Sequence, residues 1–166
     1  MTYKELAYKL DREEKLIEAA DAYEKAIIDP DADLELLINL AVLYFVCTDG
    51  GYLSSYHLSN EFVDHAWERA THLLDEAEAR FGRDAEIDFW RRYFQFIRLG
   101  EDESIMEKEQ LRSSKSLIPY FYLFKAGDGE EYRAQAEKLH QLVADKSSAK
   151  KRYIKSVLES NIEPKL

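Results

Sequence analysis

The chain has 166 residues, with 33 Asp and Glu against 23 Lys and Arg for a formal net charge of −10, one cysteine, six glycines and three prolines. A chain of this length buries roughly 70% of the surface its unfolded form exposes, enough for one sizeable core, so a single domain over 1–166 is expected. Hydrophobic residues at 46% exclude disorder, the longest apolar run (Leu40–Cys47) is far short of the ~20 residues of a membrane span, and the acidity repels phosphate backbones, so neither membrane nor nucleic acid is an expected partner.

Between the glycines and prolines the apolar period is 3.6 rather than 2, which predicts helices throughout. Thr2 and Glu5 make a capping-box pair opening a helix with Tyr3, Leu6, Ala7 and Leu10 on one face. A second helix carries Leu16, Ala19, Ala20, Tyr23, Ala26 and Ile27 and ends before Asp29-Pro30. The third, from about Asp33 to Cys47, is apolar nearly all round and should be central. Thr48 to Leu58, with its double glycine, is an uncommonly long loop, and loops of that length inside a domain are often functional. Ser59 then caps a helix reaching about Phe81, with Leu58 and Val63 placed as a hydrophobic staple. Ala85 to Leu99 is a helix dense in aromatics, followed after Gly100 by a weaker one over Glu103–Arg112. Ser116 caps Leu117–Lys125, Asp128 with Glu131 caps a helix reaching Val143, and Ser147 or Ser148 caps the last, to Ser160. The expected class is all-α, with seven to nine helices.

The charge is uneven. Residues 1–100 hold 21 acids and 11 bases, and residues 101–166 hold 12 of each, so the net negative charge belongs to the first three-fifths. Lys146, Lys150, Lys151, Arg152 and Lys155 form a local basic run, expected on a terminal helix where cations suit the negative end of the dipole or a neighbouring acidic face. A lone Cys47 and first residues lacking a basic stretch and apolar run give the expectation of a reducing cytoplasm.

Residues 3–30 resemble a tetratricopeptide repeat, a pair of antiparallel helices with large and small residues at fixed places. Tyr3, Leu6, Ala7 and Leu10 match its first helix and Ala19, Tyr23 and Ala26 its second, with Pro30 closing the unit one residue early. A second unit begins with Leu37, Leu40, Ala41 and Tyr44, with Ala70, Leu74 and Ala77 as equivalents after the long loop, and a third begins with Trp90, Tyr93, Phe94 and Ile97 before the pattern is lost. The resemblance implies antiparallel helix pairs stacked as a short α-solenoid and a protein that binds a peptide or protein segment without doing chemistry. It places a groove on the first helix of each unit, at Lys4, Tyr8 and Arg12, then Ile38, Asn39, Val42 and Phe45, then Arg91, Arg92, Gln95 and Arg98. One sub-family clamps a peptide's terminal carboxylate; Lys4, Asn39 and Arg92 stand where three of its groups would be, whereas Tyr8 and Asp88 replace two others. The acidic first 100 residues also suit an immunity protein or secretion chaperone that neutralises a basic partner.

Other constellations are weaker. Glu61, His65, Glu68 and His72 fall within one arc of a helix and could hold a transition metal, but His-x2-Glu-x3-His is neither a zinc-protease nor a di-iron spacing, and a solvated acid–His face accounts for it better. Cys47 ends an apolar helix with no basic neighbour, as a buried inert thiol does. No phosphate loop, dinucleotide fingerprint or nucleophile elbow is present, so neither an enzyme nor a cofactor is expected. The rings of Phe89–Phe96 and Tyr120–Phe124 are more than one buried face needs; core packing explains them first and a binding groove second.

Overall fold

The computed structural model describes residues 1–49, 58–100, 102–127 and 130–162, and these are helical wherever they are regular, with no strand among them. The elements are α1 (Tyr3–Arg12), α2 (Leu16–Ile27), α3 (Leu34–Cys47), α4 (Asn60–Phe81), α5 (Ala85–Leu99), a 3-10 turn (Glu103–Met106), α6 (Lys108–Ser113), α7 (Tyr120–Ala126), α8 (Arg133–Leu142) and α9 (Ala149–Ile162). The protein is all-α. No described helix is long and apolar enough to cross a membrane. Most of the predicted loop over 48–58 lies outside the described residues, as does Asp128.

The chain divides into two compact units, residues 1–83 with 147–150, and residues 84–146 with 151–166. In the first, α1 packs on α2, α2 on α3 and α3 on α4. The capping box opens α1 as expected: the Glu5 N–H donates to Thr2 Oγ1 at 3.1 Å and the Thr2 N–H to Glu5 Oε2 at 2.7 Å, satisfying two of the helix's orphan donors. Glu14, in the left-handed region at φ 59°, reverses the chain between α1 and α2, and the three-residue link makes them antiparallel. Asp33 and Ser59 cap α3 and α4. Every residue of α3 from Leu36 to Cys47 is buried, as its all-round apolar surface requires. Alanines make the close approach possible, with Ala19, Ala20, Ala22 and Ala26 on α2 and Ala66, Ala70 and Ala77 on α4 all buried. A polar seam ties α2, α3 and α4. Arg69 grips Glu24 with Nε at 2.8 Å and Nη2 at 2.9 Å, and the Tyr44 hydroxyl donates to the same carboxylate at 2.9 Å. Arg80 closes α2, its guanidinium donating to the Ile27 carbonyl at 2.8 Å and the Asp29 carbonyl at 3.2 Å.

The second unit is built on rings. Phe89, Trp90 and Tyr93 of α5 meet Phe121 of α7, with Trp90 stacked on Phe121 at 5.6 Å between centroids and Tyr93 edge-on to it at 5.2 Å, and Phe94 lies against Trp90 at 5.9 Å. Tyr153 of α9 joins them through a hydroxyl pair with Tyr93 at 2.6 Å. The aromatics therefore serve as core: among Phe89, Trp90, Tyr93, Phe94 and Tyr120 to Phe124, each ring is buried.

Three predicted elements differ, one of them the helix expected from the Asp128 and Glu131 cap, which starts only at Arg133, after Tyr132, with no side-chain cap. Glu103–Arg112 is not one helix: Glu107, at φ 45°, is in the left-handed region, which ends the 3-10 turn and starts α6 afresh, and the Arg92 guanidinium holds its carboxylate at 3.1 Å. The helix expected from Leu117 starts at Tyr120, because the residue before a proline avoids the helical region and Pro119 has no N–H to give. Ser116 Oγ instead accepts from the Ile118 N–H at 3.1 Å in a turn.

Candidate partner-binding surface

The groove residues expected on α1 and α3 belong to the first unit. Lys4 pairs with Asp33 at 2.7 Å and lies 5.9 Å from the centre of the Tyr8 ring; Tyr8 is half-buried and meets Tyr23 edge-on at 6.0 Å. Burial pushes the Tyr8 hydroxyl up from its ordinary value, and the nearby Asp33 carboxylate pushes it further. Asp33 itself is penalised by burial, but the Lys4 ammonium and the Leu36 N–H outweigh that and hold its carboxyl below the usual range. Arg12 is exposed at the end of α1. Ile38, Asn39, Val42 and Phe45 are all buried, so the structure does not leave these four α3 side chains open to solvent.

Asn39 is the informative member. It is 4% exposed, and its Oδ1 has no hydrogen-bond partner. A buried acceptor left unpaired costs about 1–3 kcal/mol.

Residues 147–150 lie against this part of the unit. Asp11, 0% exposed on α1, accepts from the Tyr23 hydroxyl at 2.7 Å and from the Ala149 N–H at 2.8 Å. Helix α9 thus receives a cap for one of its first N–H groups from a side chain 138 residues earlier in the chain. Next to it Lys150, 4% exposed, extends its ammonium to Glu35 Oε1 of α3 at 2.9 Å. Lys150 lies near Tyr8 as well, its charge opposing the upward push of Asp33 and Glu35 on that hydroxyl. The structure therefore gathers Lys4, Tyr8, Asp33, Glu35 and Lys150 in one place and adds the buried Asp11 beside them.

Three further cations of the basic run are also engaged. Lys151 pairs with Asp145 at 3.2 Å, Arg152 donates to the Lys146 carbonyl at 3.1 Å, and Lys155 pairs with Glu159, which His140 also meets at 3.2 Å. Together Lys155 and His140 hold the Glu159 carboxyl below its usual range.

In the second unit, the Arg92 guanidinium lies between Asp88 at 3.2 Å and Glu107 at 3.1 Å. Arg91 and Gln95 are half-buried and Arg98 is exposed. Two of the three groups expected for a carboxylate clamp are thus committed, Lys4 to Asp33 and Arg92 to Asp88 and Glu107, and the third, Asn39, is buried. Glu61, His65, Glu68 and His72 are all exposed on α4, and His65 rests edge-on to the Tyr44 ring at 5.8 Å. Among the described residues, no three His, Cys, Asp or Glu side chains gather so as to hold a metal ion. Cys47 is buried, which pushes its thiol up to about 12.

Asp11 and Glu35 escape the sequence argument because their partners are distant along the chain. One signal exists: Asp11 sits four residues after Ala7, a carboxylate in line with the apolar stripe of α1. No protein-family model, curated protein or solved structure matches this chain.

Proposed function

We propose that this chain is a non-enzymatic, cytoplasmic protein–protein interaction module whose helix pairs stack as a short tetratricopeptide-like α-solenoid and whose first unit holds a segment of a partner protein. The observation that carries it is the docked stretch 147–150: side chains of α1 and α3 already hold a polypeptide segment, through a main-chain N–H on Asp11 and an ammonium on Glu35. The stacked-pair arrangement is supported by the serial packing of α1 to α4 and by the buried alanines where they approach. Arg91, Arg92, Gln95 and Arg98 on α5 form a separate candidate contact.

One observation favours a second function, an immunity protein or secretion chaperone that neutralises a basic partner. The first unit carries 18 acids against 9 bases, a net −9, whereas the second carries 15 against 14. Affinity capture from the native cell identifies the partner, and titration at several salt concentrations separates the two. Neutralisation of a basic partner weakens steeply with salt, because exposed charges are screened over about 10 Å at 0.1 M. A module binding mainly through a segment keeps most of its affinity. Tyr8→Ala on α1 should lower partner affinity by roughly 10-fold in either setting, whereas Arg12→Glu should lower it for a segment that meets the Arg12 cation and raise it for a basic partner. Unchanged affinity in both variants would rule out this face.

A further inference from the structure

We propose that the docking surface formed by Asp11 and Glu35 in the first unit is a receptor for the first turn of a lysine-bearing helix, and that Ser147–Lys150 occupies it in place of the corresponding turn of a partner protein, a proposal that rests on the binding-module function above. Three features set the chemistry of the occupant. The polar atoms that meet the occupant are acceptors: the Asp11 carboxylate, which takes the Ala149 N–H, and the Glu35 carboxylate, which takes the Lys150 ammonium. Such a surface suits donors and cations and repels a carboxylate terminus, the reverse of the clamp that the sequence resemblance raises. The occupying residues are also small, since Ser148 and Ala149 are both buried, so bulky side chains at those two places would not fit. Finally, the contact to Asp11 is made by a main-chain N–H, which the first turn of any helix has to spare.

The contacts that seat 147–150 are therefore ones another polypeptide can reproduce: a helix start with two small residues followed by lysine. The chain enters this stretch through Lys146, in the left-handed region at φ 53°. A site filled from within binds an external copy of the same segment with an affinity reduced by the fraction of time it is vacant.

The test uses the full-length protein and a labelled synthetic peptide of residues 145–160. Two variants loosen the internal occupant and leave the receptor intact. Ala149→Pro removes the donated N–H while keeping a residue that first helical turns accept, and Lys150→Glu sets an acid against Glu35. Circular dichroism and melting check that each folds. Both should bind the peptide about 10-fold or more tightly than the unaltered protein. Adding Asp11→Asn, or placing Lys150→Glu in the peptide instead, should remove that gain. Where Ala149→Pro does not fold, Lys150→Glu carries the test, together with hydrogen exchange on the unaltered protein, in which amides 149–152 should exchange faster than those of α3. Equal binding by variants and unaltered protein, indifference to the peptide's lysine, or exchange of 149–152 only through global unfolding overturns the receptor. A captured partner that saturating peptide fails to displace also overturns it and leaves the module function standing; peptide binding to the variants with no partner in the cell does the opposite.

Discussion

The two units solve the same packing problem with different side chains. In the first, α1 to α4 have 10, 12, 14 and 22 residues, and alanine stripes on α2 and α4 let them lie close along several turns, with a polar seam at Arg69, Glu24 and Tyr44 fixing their register. In the second, α6, α7 and α8 have only 6, 7 and 10 residues, and the rings of Phe89, Trp90, Tyr93, Phe121 and Tyr153 pack on one another between the elements. Charge divides the same way, −9 against −1. Small residues are thus structural in one unit and large rings in the other. Substitutions in opposite directions should damage each.

The largest effect belongs to Trp90→Ala. The indole is fully buried, stacks on Phe121 and donates from Nε1 to Glu86 at 3.2 Å, so its removal opens a cavity that the surrounding rings can close only in part. A loss of about 4 kcal/mol is expected by denaturant titration. A loss below about 1 kcal/mol would mean that the second unit does not depend on its rings, and the contrast with the first would fail. The opposite substitution is Ala70→Leu on α4, where a buried methyl leaves no room for an isobutyl group. Strain of about 2 kcal/mol is expected there, and a neutral or stabilising outcome would show that the alanine stripe is not closely packed.

What the sequence makes legible follows the same division. Long helices with local signals are readable: Thr2 with Glu5, Asp33 and Ser59 are each visible as caps within three residues of the N–H they serve, and α1 to α5 fall where the period places them. The short elements of the second unit are not, because one residue decides them. Glu107 in the left-handed region splits a predicted helix, although nothing in its identity requires that conformation. The candidate site is the least legible part. Tyr8 and Lys4 are named by repeat position alone, but what they stand beside depends on Asp11 meeting Ala149 and Glu35 meeting Lys150, contacts between the two ends of the chain that no local pattern encodes. The basic run around Lys150 is visible in the sequence; its acid partner on α3 is not.

Alkaline titration sharpens the comparison with a smaller effect. In the first unit burial pushes the Cys47 thiol up from 9.0 to about 12, with the Asp11 carboxylate adding to the push. In the second, burial and then the Glu103 carboxylate raise the Tyr122 hydroxyl above its ordinary 10.0. Both groups are neutral in the folded state and ionise more easily once unfolded. Their contribution is therefore complete below the unfolded value and declines as pH rises from there toward the folded one. The decline should begin near pH 9 in the first unit, through Cys47, and only near pH 10 in the second. By pH 10 the thiol accounts for a loss of about 1 kcal/mol. Hydrogen exchange between pH 8 and 10.5, corrected for the intrinsic rate, should show α3 amides losing protection before those of α5. Cys47→Ala should abolish that lead, and a thiol reagent at pH 8 should label Cys47 only after denaturant is added. Rapid labelling of the folded protein would mean that the end of α3 opens readily, and the closely packed first unit would then be the looser of the two.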